Sequence, residues 1–349
     1  MPLGLQSTNL NFETIREIGG AGKNSQVFIA HDKQLDSEIV IKKIKKNSLT
    51  YAGEYYKEAK ILYNNEHSNV AKVIYGCEDS EHAYIAMPLY ENGSLKDLIN
   101  KRFLTVREII RYSLQFLSGL NHIHSKKLMH FDIKPDNIFL TKTNEAVLAD
   151  FGLAKAMNLL DRAEQSYIYG KLLPPEFFQE TEFTLSFDIY LSGLTLYKLC
   201  NGNQHFEDQL SSITDETHYE NQILNGLFPD RTNYLWHIPS SLVKIINKAL
   251  APDKANRYQT ALQLMNDLST VTDLLDWNYS QNSYISTWIL NQEDKIITVV
   301  MSNNGNNFSV ITKKTIKSSG NTTKVSDYCN ANIISKDIKK FILKTLKSF

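Results

Sequence analysis

The sequence predicts an α+β protein, and three observations carry that reading. Between Phe12 and Met87, short β-branched runs (QVFIA, EIVIKKI, AYIAM) flank one helical stretch, YKEAKILYNN. Past Gly93 the apolar residues recur at spacings of three and four instead of two, which changes the expected element from strand to helix. Near Thr270 the composition turns to Asn, Ser and Thr with alternating apolar positions, the pattern of half-buried strands. The expected organisation is a tail over 1–11, one folded part over 12–270 and a small α+β unit over 271–349.

In chain order, the first part begins as a small antiparallel sheet with a single helix. VREIIRYSLQFLSGLNHIH, DIYLSGLTLYKL, SLVKIINKAL and TALQLMNDL then form a mainly helical half. The last unit reads as four strands, STWIL, KIITVVM, FSVITKKTI and TKVSDYC, followed by a helix from about Ser335 with that serine as its N-cap. On this helix Ile338, Phe341, Ile342, Thr345 and Phe349 share one face, and Lys336, Lys340, Lys344 and Lys347 share the other.

Composition narrows the function classes. The 349 residues are 42% hydrophobic and 22% charged, ordinary globular values. Lys+Arg and Asp+Glu both number 38, so no overall basic surplus points to nucleic acid or an anionic membrane. Positive charge is local: nine lysines against two aspartates follow Thr312. Cys77, Cys200 and Cys329 lie far apart without metal-ligand spacing, as expected of reduced thiols in a cytoplasmic protein. MPLGLQSTNLNF lacks the pattern of a signal peptide, and no apolar run approaches the ~20 residues that span a bilayer, so no membrane association is expected.

Three stretches carry chemistry. IGGAGKNSQVF, between two strand-like runs, places Gly20, Gly22, Ser25 and Val27 in a GxGxxGxV frame, where glycines let backbone N–H groups approach phosphates; taken alone it also reads as a plain hairpin. Lys42 follows three apolar strand residues, where a buried cation would need an anion, although a solvated strand end fits as well. HFDIKPDNIFL sets Asp132, Lys134 and Asn137 between apolar runs: a carboxylate to take a hydroxyl proton, a cation for a phosphoryl group and an amide oxygen for a metal. A capped turn would use the same residues. Thirteen positions after Asn137 an apolar strand ends in Asp150-Phe151-Gly152, a second carboxylate for the metal.

With these stretches in this order, residues 12 to 270 resemble the eukaryotic-type protein kinases, and in wording the bacterial serine/threonine members. The resemblance implies a two-lobed kinase fold, ATP and Mg²⁺ as cofactors, and transfer of the γ-phosphoryl group to Ser/Thr hydroxyls of protein substrates, autophosphorylation included. It implies that Gly20, Gly22 and Ser25 cover the phosphates, that Lys42 holds them and pairs with Glu58, and that Val27, Val40, Met87, Leu89 and Phe139 enclose the adenine. Asp132 is then the catalytic base, Lys134 its helper, and Asn137 and Asp150 the Mg²⁺ ligands. PPE at Pro174–Glu176, Asp188 and Arg257 match the family's substrate-side anchors, with Arg257 placed to pair with Glu176.

Several positions depart from the family pattern. Phe131 stands where an arginine usually precedes the base, which predicts little dependence on phosphorylation of Ser166, Tyr167 or Tyr169. Val40 replaces an alanine and Ser25 a glycine; Leu191 stands where a serine usually follows Asp188, and Tyr169 and Leu172 fall on a usual threonine and tyrosine. The alternative to an active kinase is a pseudokinase scaffold or interaction protein. For the last unit, a solvated basic helix face accounts for the lysines, and an acidic partner would suit them too; without aromatic stacking motifs, nucleic acid is not expected.

Overall fold

The computed structural model describes residues 10–22, 25–46, 56–165, 173–305 and 307–349. Ser166, Tyr167, Tyr169 and Leu172 lie outside them. Strands β1 (Phe12–Gly22), β2 (Ser25–Asp32), β3 (Ser37–Lys45), β4 (Tyr75–Glu78) and β5 (His82–Pro88) form an antiparallel sheet in the order β1-β2-β3-β5-β4, with helix α1 (Lys57–Asn64) inserted after β3. Register decides which face each residue takes, since cross-strand partners share a side. Val27 pairs with Lys42, Lys42 with Ile85, and Val40 with Met87, so these residues occupy one face. Ala30, Ile39, Ile41 and Ala86 fill the other with Phe12, Tyr75 and Tyr84.

The helical half holds α2 (Leu95–Lys101), α3 (Val106–Ser125), α4 (Ser186–Asn201), α5 (Asn203–Ser211), α6 (Glu216–Leu224), α7 (Ser240–Ala249) and α8 (Ala261–Ser269). Short strands β6 (Leu128–Met129), β7 (Ile138–Leu140), β8 (Ala146–Leu148), β9 (Lys155–Ala156), β10 (Ala163–Glu164) and β11 (Glu182–Phe183) pair two by two between α3 and α4. α3 starts at a reciprocal cap, in which Thr105 accepts from the Glu108 N–H and Glu108 accepts from the Thr105 N–H. Its Gly119 marks a close approach, because an added Cβ would lie 2.3 Å from the Asn69 carbonyl oxygen. α4 is buried along its whole length and is the axis of this core.

The last unit is a six-stranded antiparallel sheet of β12 (Trp277–Gln281), β13 (Ile285–Asn291), β14 (Lys295–Asn303), β15 (Asn307–Ile316), β16 (Thr322–Lys324) and β17 (Asn330–Ile334), with α9 (Ser335–Leu346) packed across one face. Two expectations are corrected here. Of TKVSDYC only Thr323 and Lys324 lie in a strand, the short β16, and a 3-10 turn follows over Ser326–Tyr328, while β12 and β17 join the sheet. Ser335 is the first helical residue and not the cap; Ile334 takes the cap position, without a side-chain bond to the helix. Ile338, Ile342 and Thr345 are buried as the helical period requires, joined by Leu346, and Lys336, Lys340, Lys344 and Lys347 are exposed.

This unit does not stand apart from the helical half. Phe103, Leu235 and Trp236 pack into its core, Phe103 against Tyr279 at 5.0 Å and His237 against Tyr279 at 4.9 Å. Arg107 binds Asp276 through two bonds of 2.6 and 2.8 Å. Val271, on the far side of the expected boundary, belongs to the core of the helical half.

Candidate active site

Lys42 and Glu58 meet because α1 packs against the sheet that holds β3. β3 carries Lys42 on the face that looks into the cleft, and α1 buries Ala59 against the sheet beside Ile44 and Ile85, Leu62 in the core of the helical half, and Glu58 beside Lys42. The Lys42 ammonium lies 2.5 Å from Glu58 and 3.4 Å from Asp150. Burial alone would lower its pKa, but the two carboxylates outweigh it and hold the amine above the usual lysine range. Val27, Val40, Met87, Leu89 and Phe139 are all half-buried, whereas their strand neighbours Ile39, Ile41, Ile85 and Ala86 are buried. That contrast marks an apolar lining that opens on the cleft. Phe139 stacks on Tyr90 at 5.8 Å. Gly20 and Gly22 lie in β1, and Gly22 pairs with Ser25 of β2.

Across the cleft, the chain from β6 to β7 holds Asp132. Lys134 Nζ sits 2.8 Å from each of its carboxylate oxygens, and the Asn137 amide NH₂ donates to its carboxylate and to its backbone carbonyl, both at 2.8 Å. The Ala149 N–H in turn donates to the Asn137 carbonyl at 2.9 Å, which ties Asn137 to the residue before Asp150. Asp150 adopts a left-handed backbone at φ 59°, an uncommon state for a residue with a side chain. Protein around its carboxyl pushes the pKa up, but the ammonium groups of Lys42, first, and Lys134 outweigh this and hold it below the ordinary range. At Gly152 an added Cβ would come within 3.3 Å of the Asp150 carboxylate and 3.9 Å of Lys42 Nζ, so the backbone passes close to both charges.

These residues fit Mg²⁺-ATP. Asp150 offers a carboxylate and Asn137, with its NH₂ committed to Asp132, offers its amide oxygen; a hard cation that keeps water and phosphate in its shell needs few protein oxygens of this kind. No cluster of three or more His, Cys, Asp or Glu able to hold a metal exists among the described residues. A cavity of about 860 Å³ lies elsewhere, at the seam with the last unit, where Arg107 and Asp276 line it, and it contains none of the candidate site residues.

Sequence reasoning matched Asp188 to the family's anchors but missed the bonds by which it holds the loop of Asp132. Asp188 at the start of α4 accepts bonds from the backbone N–H groups of His130 (2.8 Å) and Phe131 (2.9 Å) and from the His124 ring (2.8 Å). Burial raises its pKa, and His124, chiefly through that bond, outweighs the effect and lowers it. The His130 ring donates to the Ala149 carbonyl at 3.1 Å, accepts from the Asp132 N–H at 3.2 Å and packs on Phe151 at 4.6 Å. Burial keeps it neutral by lowering its pKa against the pull of Asp188. Asp188 stands out by its match to the family pattern, and His124, closing a helical stretch in the sequence, is the partner that could have been sought for it. The pairing of Arg257 with Glu176 is present, at 2.7 to 2.8 Å.

Comparison with known proteins agrees with this geometry. A model of the protein kinase domain matches residues 12–268. Serine/threonine-protein kinase PrkC of Bacillus subtilis is 28% identical over 268 residues, covering 75% of this chain and 40% of that protein. Probable serine/threonine-protein kinase PknB of Lactococcus lactis is 26% identical over 270 residues, with 75% and 42% covered. Serine/threonine-protein kinase PknL of Mycobacterium bovis is 26% identical over 265 residues, with 73% and 64% covered. The chain thus spans about two fifths of the length of the first two relatives. With most of its length matched by the family model and the lysine, glutamate and aspartates drawn to one cleft, the chain belongs to the protein kinase domain family.

Proposed function

We propose that this chain is a serine/threonine-protein kinase that transfers the γ-phosphoryl group of Mg²⁺-ATP to Ser/Thr hydroxyls of protein substrates, itself included. The observation that carries the reading is the Lys42 ammonium fixed between Glu58 and Asp150, with Asn137 linking Asp150's strand to Asp132. Bound Mg²⁺-ATP supplies the phosphoryl group and the charge neutralisation its transfer needs. Asn137 and Asp150 hold the metal, Lys42 meets the phosphates, the hairpin with Gly20, Gly22 and Ser25 covers them, and Val27, Val40, Met87, Leu89 and Phe139 enclose the base. Asp132 orients the acceptor hydroxyl and takes its proton, and Lys134 fixes that carboxylate before reaching the transferred group. The half-buried thiols Cys77 and Cys329 and buried Cys200, all free, suit a reducing compartment such as the cytoplasm.

In a Mg²⁺-ATP assay on the full chain, Asp132→Asn, Asp150→Ala and Lys42→Ala should each lower transfer by about 10²- to 10⁴-fold with circular dichroism unchanged. Full activity in one variant would remove that residue's role. No transfer by the wild type would end the kinase reading.

A further inference from the structure

Three phenylalanine rings close a triangle beside the proposed base. Phe131 and Phe187 are 0% exposed and Phe183 is 1% exposed. Their centroids lie 5.0 Å (Phe131–Phe187), 5.0 Å (Phe183–Phe187) and 6.1 Å (Phe131–Phe183) apart, with interplanar angles of 67°, 62° and 76°. Each ring therefore meets both others edge to face, the geometry that the aromatic quadrupole favours. Half-buried Phe177 stacks on Phe183 at 6.0 Å and 17°. The rings come from three places: the loop before Asp132, the segment 173–183 downstream of β10, and α4.

Phe131 itself has φ 65°, a backbone state that persists only when its surroundings over-determine it. Two things do so here, the bonds of Asp188 to the backbone N–H groups of His130 and Phe131, and the ring triangle. Asp132 is the next residue, so both set where its carboxylate begins.

We propose that the Phe131–Phe183–Phe187 triangle positions Asp132 by welding the segment 173–183 to the catalytic loop, so that the two move as one body. Phe183 is then a positioning residue for turnover, although it touches no reacting atom. The proposal rests on the kinase reading of Asp132 and adds to it a mechanical link built from apolar rings. Those rings carry no charge that a phosphate could recruit, so the link does not depend on phosphorylation.

The test uses the full chain with Phe183→Ala and Phe183→Leu. Turnover and KM are measured for ATP and a Ser-containing peptide, and hydrogen exchange is followed over 128–135 and 174–184. Phe183→Ala should lower kcat by about tenfold to hundredfold, as small misplacements of a catalytic group do, with KM for ATP little changed. It should also raise exchange in both segments together, Phe183→Leu should restore most of the rate, and phosphatase treatment of the wild type should leave kcat unchanged. Unchanged kcat in Phe183→Ala would overturn the proposal, as would faster exchange in 174–184 alone or a collapse of activity on phosphatase treatment. Should Phe183→Ala not fold, Phe177→Ala removes only the outer ring and reads the same coupling. If the wild type transfers no phosphate, the kinase reading fails by that result, and the exchange data still decide whether the two segments are coupled.

Discussion

Removing either partner of the Glu176–Arg257 pair should nearly undo the helical half. The Arg257 side chain is 0% exposed, and all five of its N–H donors are used: two on Glu176, one each on the carbonyls of Ser186, Pro252 and Ala251. The guanidinium also lies 4.7 Å from the Tyr190 ring. Glu176→Ala leaves a buried cation without its counter-charge, a change that costs about 3–5 kcal/mol in buried pairs. At about 2–4 °C per kcal/mol for a domain near this size, the melting temperature should fall by roughly 6–20 °C. Arg257→Lys keeps the charge but not the planar five-donor fork, so it should recover little of the loss. Urea unfolding of the wild type, Glu176→Gln, Arg257→Met and the double variant that combines them gives the coupling directly. A Glu176→Ala cost below about 1 kcal/mol, the range of exposed pairs, would refute the claim that this pair is a buried anchor.

Stability should fall as pH drops below neutrality. His237 is buried against Tyr279 with neither ring nitrogen partnered among the described residues, and burial pushes its pKa down to about 3. The unfolded imidazole, near 6.5, takes up a proton that the folded one refuses, so stability present above ~6.5 is lost toward acid at about 1.4 kcal/mol per pH unit. Urea unfolding at several pH values between neutral and mildly acid should show a flatter profile for His237→Phe, and parallel profiles would reject the assignment. A chain ending at Thr270 should fold and bind ATP, since the kinase match closes at residue 268, but it exposes Phe103, Leu235 and Trp236 and should aggregate more readily; loss of a cooperative melt would make the last unit part of the kinase core. Replacing Lys340, Lys344 and Lys347 together by Glu should abolish salt-sensitive capture of any acidic partner while leaving the melt within about 1 kcal/mol, because these side chains are solvated; capture that persists unchanged would leave the basic face as solvated surface.

The catalytic stretch was legible because its chemistry is local in sequence. Asp132, Lys134 and Asn137 lie within six residues, and Asp150 ends the next hairpin, so a short reading frame contains most of the site. α3 was legible for a different reason: its apolar stripe runs over twenty residues with capping partners three apart. What was hidden depends on tertiary neighbours. β12 holds Tyr279, which packs against Phe103 and His237 from the other half. TKVSDYC alternates like a strand, yet Thr312 and Cys329 draw its second half into a turn, with the Thr312 hydroxyl donating to the Tyr328 carbonyl at 2.6 Å. Ser335 sits where a cap belongs in the sequence, but β17 runs directly into the helix and moves the junction back by one residue. The triangle around Phe131 could not be read at all, since Phe131 lies more than fifty residues before Phe183 and Phe187 along the chain.

Because Arg107 anchors the last unit near the start of α3 and His124 reaches Asp188 near its end, that helix acts as a ruler. At 1.5 Å per residue the two points are about 25 Å apart. An extended peptide covers that span in roughly seven or eight residues. On the proposed kinase reading, a protein tethered at the seam would bring to the His124 end of that ruler only hydroxyls at least that far along its chain from the tether.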